Sequence, residues 1–68
     1  MFNITCNGKT TDIVNVSEVE ARKALDKAFT EANNILLQGY YHFVSYNRVL
    51  GILTIEDGLS NVYRIEEI

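Results

Sequence analysis

Two side chains have the chemistry of a nucleophile or a general base, Cys6 and His42, and the sequence holds one of each type. A cysteine attacks as its thiolate, which requires a lowered pKa and a nearby base. Cys6 closes an alternating run, Phe2-Asn3-Ile4-Thr5-Cys6, beside a turn signal. A half-buried small apolar residue is the expected role there. His42 lies between Tyr41 and Phe43, with no second histidine and no adjacent carboxylate, so it reads as a packed or surface residue and not as a base. These two residues alone cannot complete a zinc site. The acidic pairs Glu56-Asp57 and Glu66-Glu67 lack the spacing of a calcium loop and read as a solvated turn and a solvated tail. Gly8 is isolated and does not build a phosphate loop. The expectation is a chain with no catalytic residue, no cofactor and no metal.

Tyr40, Tyr41, Tyr46 and Tyr63, with Arg48 and Arg64, have the makings of a stacking platform for single-stranded nucleic acid. The acids at Glu56, Asp57, Glu66 and Glu67 would repel phosphates. Tyrosine and arginine are also enriched at protein interfaces, and that reading is preferred over nucleic acid.

Composition agrees. Nine acidic residues against six basic ones give a formal charge of −3, the wrong sign for a general nucleic-acid binder. At 68 residues and 47% hydrophobic the chain forms one domain, residues 1–68, and is too apolar for intrinsic disorder. No apolar run reaches the roughly 18 residues of a membrane helix. Met1-Phe2-Asn3-Ile4-Thr5 carries no signal-peptide pattern, and one cysteine permits no intrachain disulfide, so a cytoplasmic location is expected. A domain this small buries only about 60% of its unfolded surface and gains from a partner subunit.

The elements that position these residues follow from turn and cap signals. Asn7-Gly8 is a hairpin signal between Phe2–Cys6 and a β-branched run, Thr10 to Val16. A two-residue loop pairs Cys6 with Lys9 and Phe2 with Ile13. A three-residue loop puts Val14 and Val16 on the Phe2 face instead. Ser17-Glu18-Val19-Glu20 is a capping box. Ala21, Leu25, Ala28, Phe29, Ala32, Ile35 and Leu36 continue as one apolar stripe of a helix that Gly39 stops. Three strands follow, at Tyr40 to Tyr46, Val49 to Ile55 and Asn61 to Ile65. A tight Asn47-Arg48 turn would face Phe43 with Ile52, and Asp57-Gly58 would pair Leu53 with Val62 and Ile52 with Tyr63. The expected fold is α+β, one long helix on an antiparallel sheet of four or five strands in the order ββαββ(β). It is similar to β-grasp and other small α+β folds in element order only.

In those registers both faces of the C-terminal sheet are apolar. A single helix covers one. The other would expose Tyr40, His42, Val44, Tyr46, Val49, Leu53, Ile55 and Val62, a patch of the kind that marks an interface. The resulting expectation is a non-enzymatic protein-interaction module, self-associating as a homodimer through that face. One alternative is a small acidic inhibitor or regulator of a larger host protein, of the type phages direct at defence or nucleic-acid enzymes. Another is a small-ligand binder with an aromatic pocket between subunits.

Overall fold

Asn7 and Gly8 take φ of 51° and 84°, the positive values that a two-residue type I′ turn requires at both positions. In this computed structural model, which describes Met1–Ile68, they join β1 (Phe2–Cys6) to β2 (Lys9–Val14). Cys6 pairs with Lys9 as a two-residue loop dictates, yet Phe2 pairs with Val14 and not with Ile13. The register shifts between Ile4 and Thr5, where Thr11 is the extra residue of a β-bulge. Each of the two registers drawn from the sequence therefore holds over part of the hairpin.

The helix α1 runs Glu18–Leu37. Ser17 Oγ accepts from the Glu20 N–H at 3.2 Å, which satisfies one of the free donors of the first turn. The reciprocal bond of a capping box is not formed. At the other end Gly39 takes φ 87°. Its N–H donates to the Leu36 carbonyl at 3.0 Å and the Tyr40 N–H donates to Ile35 at 3.2 Å, the two bonds of a Schellman cap. Three strands follow: β3 (Tyr41–Asn47), β4 (Ile52–Asp57) and β5 (Val62–Glu67). All five strands form one antiparallel sheet in the order β2-β1-β5-β4-β3.

Both C-terminal turns are longer than their dipeptides suggest. Asn47 pairs with Ile52 and Tyr46 with Leu53, so residues 48–51 form the β3–β4 turn. Val49 and Leu50 belong to this turn and not to a strand. The Asn47 carbonyl accepts from the Gly51 N–H at 2.8 Å, and the Asn47 side chain accepts from the Leu50 N–H at 3.0 Å. In the next turn Asp57 Oδ1 accepts from the Leu59 and Asn61 N–H groups at 2.8 and 3.0 Å, and Ser60 takes φ 67°. Leu53 consequently pairs with Ile65, not with Val62, and Ile55 pairs with Tyr63.

That last difference is a slip of three residues, and an odd slip turns a strand over. Ile65 and Tyr63 join Leu53, Ile55, Val44 and Tyr46 on one face, and α1 covers it. Asn3, Thr5, Ser45, Thr54, Glu56, Arg64 and Glu66 share the other face with the apolar Ile13, Phe43, Ile52 and Val62. The expectation of two apolar faces is corrected: the sheet alternates as one-sided antiparallel sheets do.

The core is thin. Phe2, Ala21, Leu25, Ala32 and Leu53 are its buried side chains, with Leu25 and Leu53 fully enclosed. Each of these two leucines contributes about 1.5–3 kcal/mol by burial. Alanine at two of the helix contacts lets α1 lie close to the sheet. Both edge strands carry a bulge, Thr11 on β2 and His42 on β3, while the inner pairings are regular. Bulged edges resist pairing with another strand.

Candidate functional site

The residues that looked able to do chemistry do not converge. Cys6 is half-buried on β1, opposite Tyr63 and Lys9. His42 is the bulged residue of β3, exposed and without a hydrogen bond of its own. Three strand spacings separate β1 from β3, roughly 14 Å at 4.8 Å each, too far for a nucleophile–base pair. Gly8-Lys9-Thr10 lies in a hairpin that leads into a strand, without the helix N-terminus on which a phosphate loop depends. No group of three or more His, Cys, Asp or Glu side chains gathers to hold a metal ion.

The tyrosines are likewise dispersed. Tyr46 lies beneath the helix, its ring 5.1 Å from that of Phe29 and its hydroxyl donating to Asp26 at 2.7 Å. Burial first, and then the Asp26 acceptor, raise its phenol above the ordinary value. Tyr63 faces the same side on β5. Burial, followed by the neighbouring Cys6 and Asp57, raises its phenol also. Arg48 pairs with Asp26 at 3.3 Å and Arg64 with Glu66 at 3.4 Å, so neither is a free cation beside a ring.

The pair Glu66-Glu67 is not a solvated tail. Alternate strand residues face opposite ways. Glu66 meets Arg64 on the bare face, while Glu67 turns inward to Arg22 Nε at 2.6 Å. Arg22 also donates to the carbonyls of Arg48 and Val49. Along this flank of the helix, Arg22 and Asp26 thus fix α1 to the β3–β4 turn and to β5. The other flank is open. A cavity of about 140 Å³ there is lined by Phe2, Ile4, Ala24, Leu25, Ala28 and Ile65. No polar group enters it to orient a ligand, as a specific small-molecule site requires.

Of the residues expected at an interface, Leu53 is fully buried, and Val44, Tyr46 and Ile55 pack against the core under α1. Placing them on a helix-free face is corrected by the β4–β5 register. Val49 is exposed at the far end of the molecule, in the β3–β4 turn. Tyr40, His42 and Val62 remain available, and the fold brings others beside them. At the end where α1 runs into β3, Tyr40 is 69% exposed and Leu59 84%. Gly58, next to Leu59, lies within 4.0 Å of the Tyr40 carbonyl and of His42 Nε2, measured from the position of an added Cβ. On the bare face of the same end, Phe43 is 50% and Val62 39% exposed, with Glu56 between them in the sheet.

This end is held firmly. The Asn7 N–H donates to the Val62 carbonyl, the Val62 N–H donates to Asn7 Oδ1, and Asn7 Nδ2 donates to Asn61 Oδ1 at 3.1 Å. Asp57 stays ionised, because the Asn61 N–H above all, with Leu59 N–H, holds its carboxyl below the usual range against a desolvation effect. Sequence reasoning missed Phe43 and Leu59. Leu59 could have been suspected as a large apolar residue beside a turn signal, whereas the position of Phe43 depends on a bulge and a register that no local residue type announces. No protein-family model, curated protein or solved structure matches this chain.

Proposed function

We propose that this chain is a non-enzymatic interaction module that binds a different, larger protein through the end formed by Tyr40, His42, Phe43, Leu59 and Val62. The observation behind this reading is that Tyr40, Phe43, Leu59 and Val62 stand exposed together at one hydrogen-bonded end of the sheet. Large apolar groups gathered at one place are the usual mark of a binding surface. Tyrosine there supplies contact area at low entropic cost.

Charge favours a different protein over a second copy. At this end Glu56 and Asp57 outnumber the one cation of the adjoining hairpin, Lys9. A twofold contact would set these like charges against one another. Strand pairing between copies is opposed by both edge bulges. The test is affinity capture from the cells that make the protein, with wild type beside a Tyr40→Ser/Leu59→Ser variant. A protein retained by wild type and lost with the variant is the expected result. Equal capture by both would refute the reading. A dimer in sedimentation equilibrium that survives the double substitution would redirect it to self-association elsewhere.

A further inference from the structure

Resting on that protein-binding reading, we infer that the row Phe43–Glu56–Val62 is a receptor for an arginine side chain presented by the partner. The three residues are direct cross-strand neighbours on β3, β4 and β5, on the face that α1 leaves bare. Opposed side chains in such a row stand about 4.5–5.5 Å apart at Cβ. Glu56 is half-buried between two apolar neighbours, and its carboxylate makes neither an ion pair nor a hydrogen bond within the chain. Arg64, the lone strand cation on this face, is diagonal to it and already pairs with Glu66 at 3.4 Å. The cation nearest to it on this face is thus taken, and the Glu56 carboxylate is left facing outward beside an exposed phenyl ring.

The chemistry that fits both groups at once is a guanidinium. Its plane stacks on the face of an aromatic ring while its N–H fork meets a carboxylate in two parallel bonds. A lysine ammonium is more strongly hydrated and lacks the fork, so it satisfies one group at a time. Val62 closes the side of the row opposite Phe43 and shields the ion pair from water, which strengthens it. The one cation beside the row, Arg64, is engaged by Glu66.

Acetyl-arginine methylamide is the probe, with the lysine and citrulline analogues as comparisons, titrated into the intact chain and followed by amide NMR shifts. The arginine compound should saturate shifts at Phe43, Glu56 and Val62 in the millimolar range. The lysine analogue should bind several-fold more weakly, and the neutral citrulline analogue should leave the row unmoved. Glu56→Gln should abolish the response, and Phe43→Leu, which keeps the apolar volume, should weaken it several-fold. Equal response of wild type and Glu56→Gln, or shifts scattered away from this row, would overturn the inference. Its failure is separable from failure of the interaction reading. Capture lost with Tyr40→Ser/Leu59→Ser but fully kept with Glu56→Gln refutes the arginine receptor alone.

Discussion

The two flanks of the helix are built on different principles. On the β3 side, Arg22 and Asp26 stand one helical turn apart and bind the β3–β4 turn, Tyr46 and Glu67 through directed contacts. On the β1 side, Ala24 and Ala28 face Ile4 and Ile65 across an unfilled apolar cavity. Directed bonds tolerate little change in shape, because a displaced partner leaves a polar group unsatisfied. An apolar cavity has no such demand and already lacks contacts that a larger side chain would supply. One flank sets the position of the helix, and the other only shelters apolar surface from part of the solvent.

Substitutions can break this contrast, and the largest effect belongs to Gly51. It takes φ 71°, and a Cβ there would lie 3.0 Å from the Glu67 Cβ and carboxylate and 3.4 Å from the Arg22 guanidinium. Gly51→Ala should therefore cost roughly 2–3 kcal/mol, from left-handed backbone strain together with overpacking. Urea unfolding should show a lower midpoint at an unchanged slope. A loss under 0.5 kcal/mol, on the order of an ordinary surface change, would mean that the Arg22–Glu67 contact yields freely and the flank is not tight.

Tyr46→Phe sharpens the comparison by deleting one bond from the tight flank. The cost at neutral pH should be about 1 kcal/mol, the usual net value of a hydrogen bond. The effect of pH has a definite sign. The phenol is raised on folding above its ordinary value of 10.0, so the native state holds the protonated form more strongly than the unfolded state does. This contribution is complete below about pH 10 and is lost as pH rises through the native pKa. The difference in stability between wild type and Tyr46→Phe should shrink on the alkaline side, as followed by unfolding at pH 7, 9 and 11. A constant difference across that range would exclude the Tyr46–Asp26 bond as its source.

The smallest effect is expected on the open flank. Ala28→Leu places a larger apolar side chain at the cavity wall and should change stability by between about 0 and +1 kcal/mol, in the stabilising direction. Thermal unfolding monitored by circular dichroism measures it. A loss as great as that of Gly51→Ala would erase the distinction between the flanks.

How much of this was legible depended on whether local chemistry decided the outcome. The helix was readable because its cap, stripe and stop are all local, and Ser17, Leu25 and Gly39 act as their types suggest. The Asn7-Gly8 turn was readable for the same reason. Asp57-Gly58 misled, because the Asp57 side chain organises a longer turn by accepting two backbone N–H groups, and a serine takes the left-handed position. Nothing in the type of Ser60 announces that. The resulting odd slip carried the error from one turn to the whole surface: it moved Leu53 and Val44 into the core and brought Phe43 and Val62 together on the bare face. The inward turn of Glu67 was equally hidden, since its partner Arg22 is 45 positions away along the chain.

The place of β5 in the sheet has a consequence for how the chain is made. In the order β2-β1-β5-β4-β3, the strand nearest residue 68 is the middle one. The β1–β2 and β3–β4 hairpins are synthesised earlier, and neither touches the other across the sheet until β5 is inserted between them. Phe2 meets Glu67, a contact that spans almost the whole sequence, and long-range pairings of this kind slow folding. Without β5 the facing edges of β1 and β4 are both unpaired, a condition that exposes a chain to mispairing. The five-strand sheet therefore closes through a single strand, Val62–Glu67, which joins the two hairpins into one structure.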